Sequence, residues 1–104
     1  MRYSLFAGGR IGYEALKLMS THTVQIDQVF VEPEHPHEQI PYSSMIKKLC
    51  EERDLKVSDQ LDKANVLSVC ESTSSDCLMC FGYRRMLSPE VCACAQIADR
   101  NSVV

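Results

Sequence analysis

Between Asp76 and Glu90 the chain reads Asp-Cys-Leu-Met-Cys-Phe-Gly-Tyr-Arg-Arg-Met-Leu-Ser-Pro-Glu, and this stretch dictates the architecture around it. Cys77 to Phe81 is an uninterrupted apolar run that breaks at Gly82, the pattern of a short strand buried on both faces. Tyr83, Arg84 and Arg85 follow just past its carboxyl end. Ser88-Pro89-Glu90 then supplies an N-cap, a first-turn proline and a favourable first-turn carboxylate for a new helix. A strand buried on both faces belongs in a parallel sheet covered by helices, and in such sheets ligands sit at the loops beyond the carboxyl ends of the strands.

The rest of the chain alternates in the same way. Tyr3 to Ala7 predicts a first strand, running into Gly8-Gly9-Arg10-Ile11-Gly12 and a helix whose Ala15, Leu16, Leu18 and Met19 share an apolar face. Glycines there let backbone N–H groups approach an anion at a helix N-terminus. Neither complete nucleotide-loop motif is present, and the turn also reads as a tight strand-to-helix connection. Val24 to Val31 predicts a second strand. Glu32 to Gln39, with two prolines and three carboxylates, predicts a loop. Pro41 to Arg53 predicts a helix with Tyr42, Met45, Ile46, Leu49 and Cys50 inward, Leu55 to Val57 a brief third strand, and Asp62 to Cys70 a short helix capped by Asp62. Residues 71–75 form a polar hinge into the fourth strand.

This β-α-β-α-β-α-β-α order predicts a single Rossmann-like α/β domain over 1–104, with a parallel sheet ordered 3-2-1-4 and helices on both faces. The order reverses between strands one and four, so the Gly8–Gly12 turn and the Gly82–Leu87 loop should converge on one crevice. Strand four, the most apolar, becomes an edge, and the sheet is incomplete there. Long apolar edges are normally covered. Further strands or a partner are expected, and self-association through the exposed fourth strand otherwise.

Composition narrows the function. A formal net charge of −3, with eleven scattered basic residues, disfavours nucleic-acid backbone as a partner for this portion. No apolar run approaches the roughly 18 residues a membrane helix needs, and Gly8 and Gly9 interrupt any export signal, so the expected location is the cytoplasm. Six cysteines invite a zinc-module reading. Cys77 and Cys80, three apart on a strand, face opposite ways, and Cys92 and Cys94 on a predicted helix diverge by roughly 200°. His35 and His37 lie in an acidic loop with no convergent ligands. No metal is expected.

Three blocks carry a resemblance. Phe-Ala-Gly-Gly-Arg-Ile-Gly-Tyr-Glu-Ala-Leu at 6–16, Pro-Tyr-Ser-Ser-Met-Ile-Lys-Lys-Leu-Cys-Glu-Glu-Arg at 41–53 and Phe-Gly-Tyr-Arg-Arg-Met-Leu-Ser-Pro-Glu-Val at 81–91 resemble the N-terminal half of folate-dependent formyltransferases. That family acts on methionyl-tRNA, glycinamide ribonucleotide or sugar nucleotides. The resemblance implies N10-formyltetrahydrofolate as formyl donor, once the other half of the family's domain is present. It implies that Arg85, Met86 and Leu87 border the pterin with Tyr83 and Arg84 close by, and that Gly8, Gly9 and Arg10 face the acceptor.

The family's catalytic signature, Asn-x-His ahead of a Ser-Leu-Leu-Pro-like run and a distant Asp, falls at Asn101, with Val103 in the histidine position. The sequence therefore predicts a formyltransferase domain truncated or degenerate before its catalytic His and Asp, inert or nearly so as written. Its expected partner is a small-molecule acceptor amine, with a nucleotide-linked amino sugar favoured over tRNA. The alternative is a non-catalytic Rossmann-like module that binds a phosphate or nucleotide at the glycine turn.

Overall fold

The Cys77–Phe81 run is an inner strand of a five-stranded parallel sheet ordered β3-β2-β1-β4-β5. The computed structural model describes residues 2–22, 24–33, 36, 37, 39–85, 87–94 and 97–103, the last stretch by its backbone alone. The elements are β1 (Arg2–Ala7), α1 (Gly9–Ser20), β2 (Gln25–Val31), α2 (Tyr42–Glu52), β3 (Val57–Ser58), α3 (Lys63–Thr73), β4 (Cys77–Phe81), α4 (Pro89–Cys92) and β5 (Ile97–Val103). Central β1 lies between β2 and β4, with Leu5 beside Val29 and Met79, and Phe6 beside Phe30 and Cys80.

Period-two alternation divides the core between the two faces of the sheet. Leu5, Ala7, Val29 and Val31 pack under Leu16 of α1 and Ile46, Leu49 and Cys50 of α2. Phe6, Phe30, Leu78 and Cys80 pack under Val66 and Cys70 of α3 and Val91 of α4. Phe6 and Phe30 stack at 4.8 Å, and the Tyr83 ring meets Phe6 edge-on at 5.2 Å. Leu5, Phe6, Leu16 and Phe30 are fully buried, each stabilising the fold by about 1.5–3 kcal/mol relative to exposure.

Local signals act as the sequence predicts at two helix starts. Asp62 accepts the Asn65 N–H at 3.1 Å and Ser88 accepts the Val91 N–H at 3.3 Å. α3 runs on through Thr73, so the hinge expected over 71–75 is reduced to the residues from Ser74 to Asp76, which close the amino end of the sheet. Ser4 and Ser75 hydroxyls lie 2.7 Å apart, Ser75 donates to Asp27 at 2.8 Å, and Asp76 accepts the Arg2 N–H at 2.8 Å.

The order 3-2-1-4 holds, but β4 is not the edge. β5 runs parallel to it, pairing Cys77 with Ile97, Leu78 with Ala98 and Cys80 with Val103. Asp99, Arg100, Asn101 and Ser102 hide this strand in the sequence because an edge strand needs no apolar run. The apolar edge expected to drive self-association is thus covered. β3 sits later than Leu55–Val57, and α4 stops at Cys92, so Cys94 lies in a turn and not on a helix. Among the described residues no helix is long and apolar enough to cross a membrane.

Candidate functional site

The carboxyl ends of β1, β2 and β4 meet at one point. The Gly8 N–H donates to Phe81 O at 3.0 Å, and the Glu32 N–H donates to Ala7 O at 3.0 Å. Gly9 and Gly82 hold φ of 58° and 65°, a region L side chains avoid. A Cβ on Gly8 would stand 2.6 Å from Gly82 O, so two backbones cross where no side chain fits. The strand order reverses here, and the expected convergence of turn and loop is found.

Above this crossing opens a crevice of about 580 Å³, lined by Gly8, Gly9, Arg10, Ile11, Gln39, Ile40, Tyr42, Gly82 and Arg84. Its walls differ in kind. Glycine backbone and the α1 N-terminus bring N–H groups and the positive end of a helix dipole, with Arg10 and Arg84 adding cations. The rest of the lining is largely apolar: Ile11 and Ile40 are half-exposed, and Tyr42 leans on Tyr13 with ring centroids 6.2 Å apart. Such a crevice suits an anion attached to a flat or apolar group.

The predicted folate residues do not all join it. Arg84 enters the crevice, whereas Tyr83, Arg85 and Leu87 line a second groove of about 430 Å³ with Leu61, Lys63, Val66, Ser88, Pro89 and Val91. The Gly82–Leu87 loop therefore borders two cavities, with Gly82 and Arg84 lining the crevice and Tyr83, Arg85 and Leu87 lining the groove. Met86 lies outside the described residues, as does His35. Apolar walls and one guanidinium fit a flat heteroaromatic ring. Burial pushes the Tyr83 phenol up to about 12, with Arg85 opposing and Glu32 adding to the rise, so the ring presents a neutral hydroxyl at neutral pH.

Asn101 falls in β5, two residues before Val103, which is paired with Cys80. Its backbone thus lies toward the same carboxyl edge of the sheet as Gly82. Sequence reasoning missed Glu32, Ile11, Ile40 and Tyr42. Glu32 read as part of an acidic loop, yet it is only 9% exposed and its carboxylate accepts the Arg84 N–H. Tyr42 read only as a member of a helix face.

The thiols stand apart from this site. Cys80 lies on the Phe6–Phe30 face of β4, while Cys77 shares the parity of Met79 and Phe81 on the other. Burial pushes Cys50 and Cys80 up to about 11 and Cys70 to about 12, which keeps them protonated. Among the described residues no group of three His, Cys, Asp or Glu side chains is placed to hold a metal ion.

The sheet order, flanking helices and switch-point crevice define a Rossmann-like α/β fold. Among solved structures it is similar to glycinamide ribonucleotide transformylase 1 from Symbiobacterium toebii, with a TM-score of 0.57 over 99% of this chain at 9% identity. The chain spans about half of that protein, 49% of its length. No protein-family model matches the chain, and no curated protein does.

Proposed function

We propose that this chain is a folate-dependent formyltransferase domain, or its remnant, holding an acceptor amine in the crevice and N10-formyltetrahydrofolate in the adjoining groove. The observation that carries this reading is the division of one loop between two sites. Arg84 joins the glycine turn while Tyr83, Arg85 and Leu87 line the neighbouring groove, so a donor and an acceptor can bind on either side of a single loop. The formyltransferase-like fold and the three resembling sequence blocks support it.

Tyr83 and Leu87 provide apolar walls for the pterin, and Arg85 provides donors for its polar edge. Gly8, Gly9 and Arg10 hold the acceptor, and its apolar part lies on Ile11, Ile40 and Tyr42. These features, with the overall acidic balance, favour a nucleotide-linked amino sugar. The bound folate supplies the formyl group. Asn101 carries the amide that would donate to the formyl oxygen as charge develops there, a contribution of roughly 3–4 kcal/mol for one donor. Val103 holds no proton where the resemblance has a histidine, so binding is expected to outlast turnover in this chain.

Calorimetric titration with 5-formyltetrahydrofolate and with a uridine diphosphate sugar tests the reading. Saturable folate binding supports it. Nucleotide binding without folate binding would replace it with a phosphate- or nucleotide-binding module, which the glycine turn at the α1 N-terminus also suits. Binding of neither would remove both.

A further inference from the structure

We propose that Glu32 is a positioning residue whose carboxylate, by taking the Arg84 N–H where three strands end together, decides which side chains of the β4–α4 loop face the crevice and which the groove. The functional half of this inference rests on the two-site reading above.

Glu32 directly follows β2, and its backbone is pinned to β1 through Ala7 O at 3.0 Å. Its side chain, 9% exposed, turns inward, and Oε1 accepts the Arg84 N–H across 52 residues of sequence. The other oxygen lies beside the glycine turn, 3.3 Å from where a Gly8 Cβ would stand. One carboxylate thus touches the ends of β1 and β4 from the end of β2. A buried carboxyl group is costly without donors, so this hydrogen bond favours keeping both partners where they are.

The Arg84 N–H is a sensitive place for such a bond. Residues 83–85 lie in neither helix nor strand, so no ladder fixes their register. Before Arg84, Tyr83 is buried against Phe6. After it, Arg85 lines the groove, while Arg84 itself lines the crevice. A one-residue slip of this segment would exchange the two arginines between the sites. Glu32 holds it from outside the loop.

The test compares Glu32→Gln, Glu32→Asp and Glu32→Ala by hydrogen exchange at the Arg84 amide and by titration with 5-formyltetrahydrofolate and uridine diphosphate. Gln keeps the reach and an accepting oxygen. Asp keeps the charge but is one methylene, about 1.5 Å, shorter. Wild type and Glu32→Gln should protect the Arg84 amide. Glu32→Asp and Glu32→Ala should speed its exchange by at least about tenfold, with the β1 amides of Leu5 and Phe6 unchanged, and weaken both probes about tenfold. Rescue by Gln separates positioning from charge. Unchanged Arg84 exchange in Glu32→Asp, or exchange in Glu32→Gln as fast as in Glu32→Asp, would overturn the inference. If Glu32→Ala does not fold, the Gln and Asp pair decides. If wild type binds neither probe, the two-site reading fails, and the exchange pattern still decides the role of Glu32.

Discussion

Gly8 and Gly82 cross backbone to backbone: a Cβ on Gly8 would stand 2.6 Å from Gly82 O, and a Cβ on Gly82 would run into Gly8 O. The contact joins the two segments that frame the crevice, so its closeness sets how near the glycine turn lies to Arg84. Gly82→Ala combines a positive-φ penalty with this clash and should destabilise the fold by about 3 kcal/mol. Gly8→Ala meets the clash alone and should cost about 2 kcal/mol. Urea denaturation measures both, and an unchanged midpoint in Gly82→Ala would mean that the loop yields without consequence.

Arg84 and Arg85 are neighbours in sequence and belong to different sites. Arg84→Ala should weaken uridine diphosphate binding by about 10-fold to 100-fold, the range for losing a charge-assisted hydrogen bond. Its effect on 5-formyltetrahydrofolate should stay within about threefold, since the Arg84 side chain lines the crevice and not the groove. Arg85→Ala should show the reverse. Calorimetry on both variants would reject the two-site reading if each substitution weakened both probes equally.

The sheet order was legible because its three inner strands, β2, β1 and β4, carry apolar runs set off by glycines and turn residues, each agreeing with the others. β5 was not, since Ile97–Val103 pairs with β4 alone and its four consecutive polar residues carry no strand signal. The split of Tyr83 and Arg85 from Arg84 carries no such signal, because Gly82 turns the chain at a φ of 65° and Arg85 sits at a bend, so strand alternation does not run through this loop. Nor does Glu32. Its hydrogen-bond partner, the Arg84 N–H, is far away in sequence, and the residues that follow it include the prolines and carboxylates that mark a solvated loop.

Alkaline pH should unfold the protein through its buried thiols. Desolvation holds Cys50 and Cys80 at about 11 and Cys70 at about 12, against an ordinary thiol value of 9.0. A group raised on folding keeps its proton in the native state after the unfolded chain has lost it. Its stabilisation is therefore complete below pH 9 and is lost as pH rises through 11 to 12. The urea midpoint should be flat from about pH 7 to 8.5 and then fall, less steeply in Cys70→Ala. A midpoint in Cys70→Ala that falls as steeply as in wild type would show that this thiol does not carry the effect.

At the opposite end of the sheet from the crevice, a hydrogen-bond relay fixes the hinge that launches β4. The Ser75 hydroxyl has one proton and gives it to Asp27 at 2.8 Å, so in its 2.7 Å contact with Ser4 it must accept. The direction is Ser4 to Ser75 to Asp27, with Arg2 closing the chain through an ion pair to Asp27 at 3.6 Å. Ser4 and Ser75 are almost wholly buried, so water cannot replace a lost partner without rearrangement. Ser4→Ala removes the first donor and leaves Ser75 bonded to Asp27, which should cost about 1 kcal/mol. Ser75→Ala strands the Ser4 hydroxyl and deprives the Asp27 carboxylate at once, and should cost about 2–3 kcal/mol. In the double variant the stranded hydroxyl is gone, so its cost should equal or fall below that of Ser75→Ala alone, a departure from additivity of about 1 kcal/mol or more. Additive losses in urea denaturation would mean that the two serines act independently and that the relay does not hold the hinge.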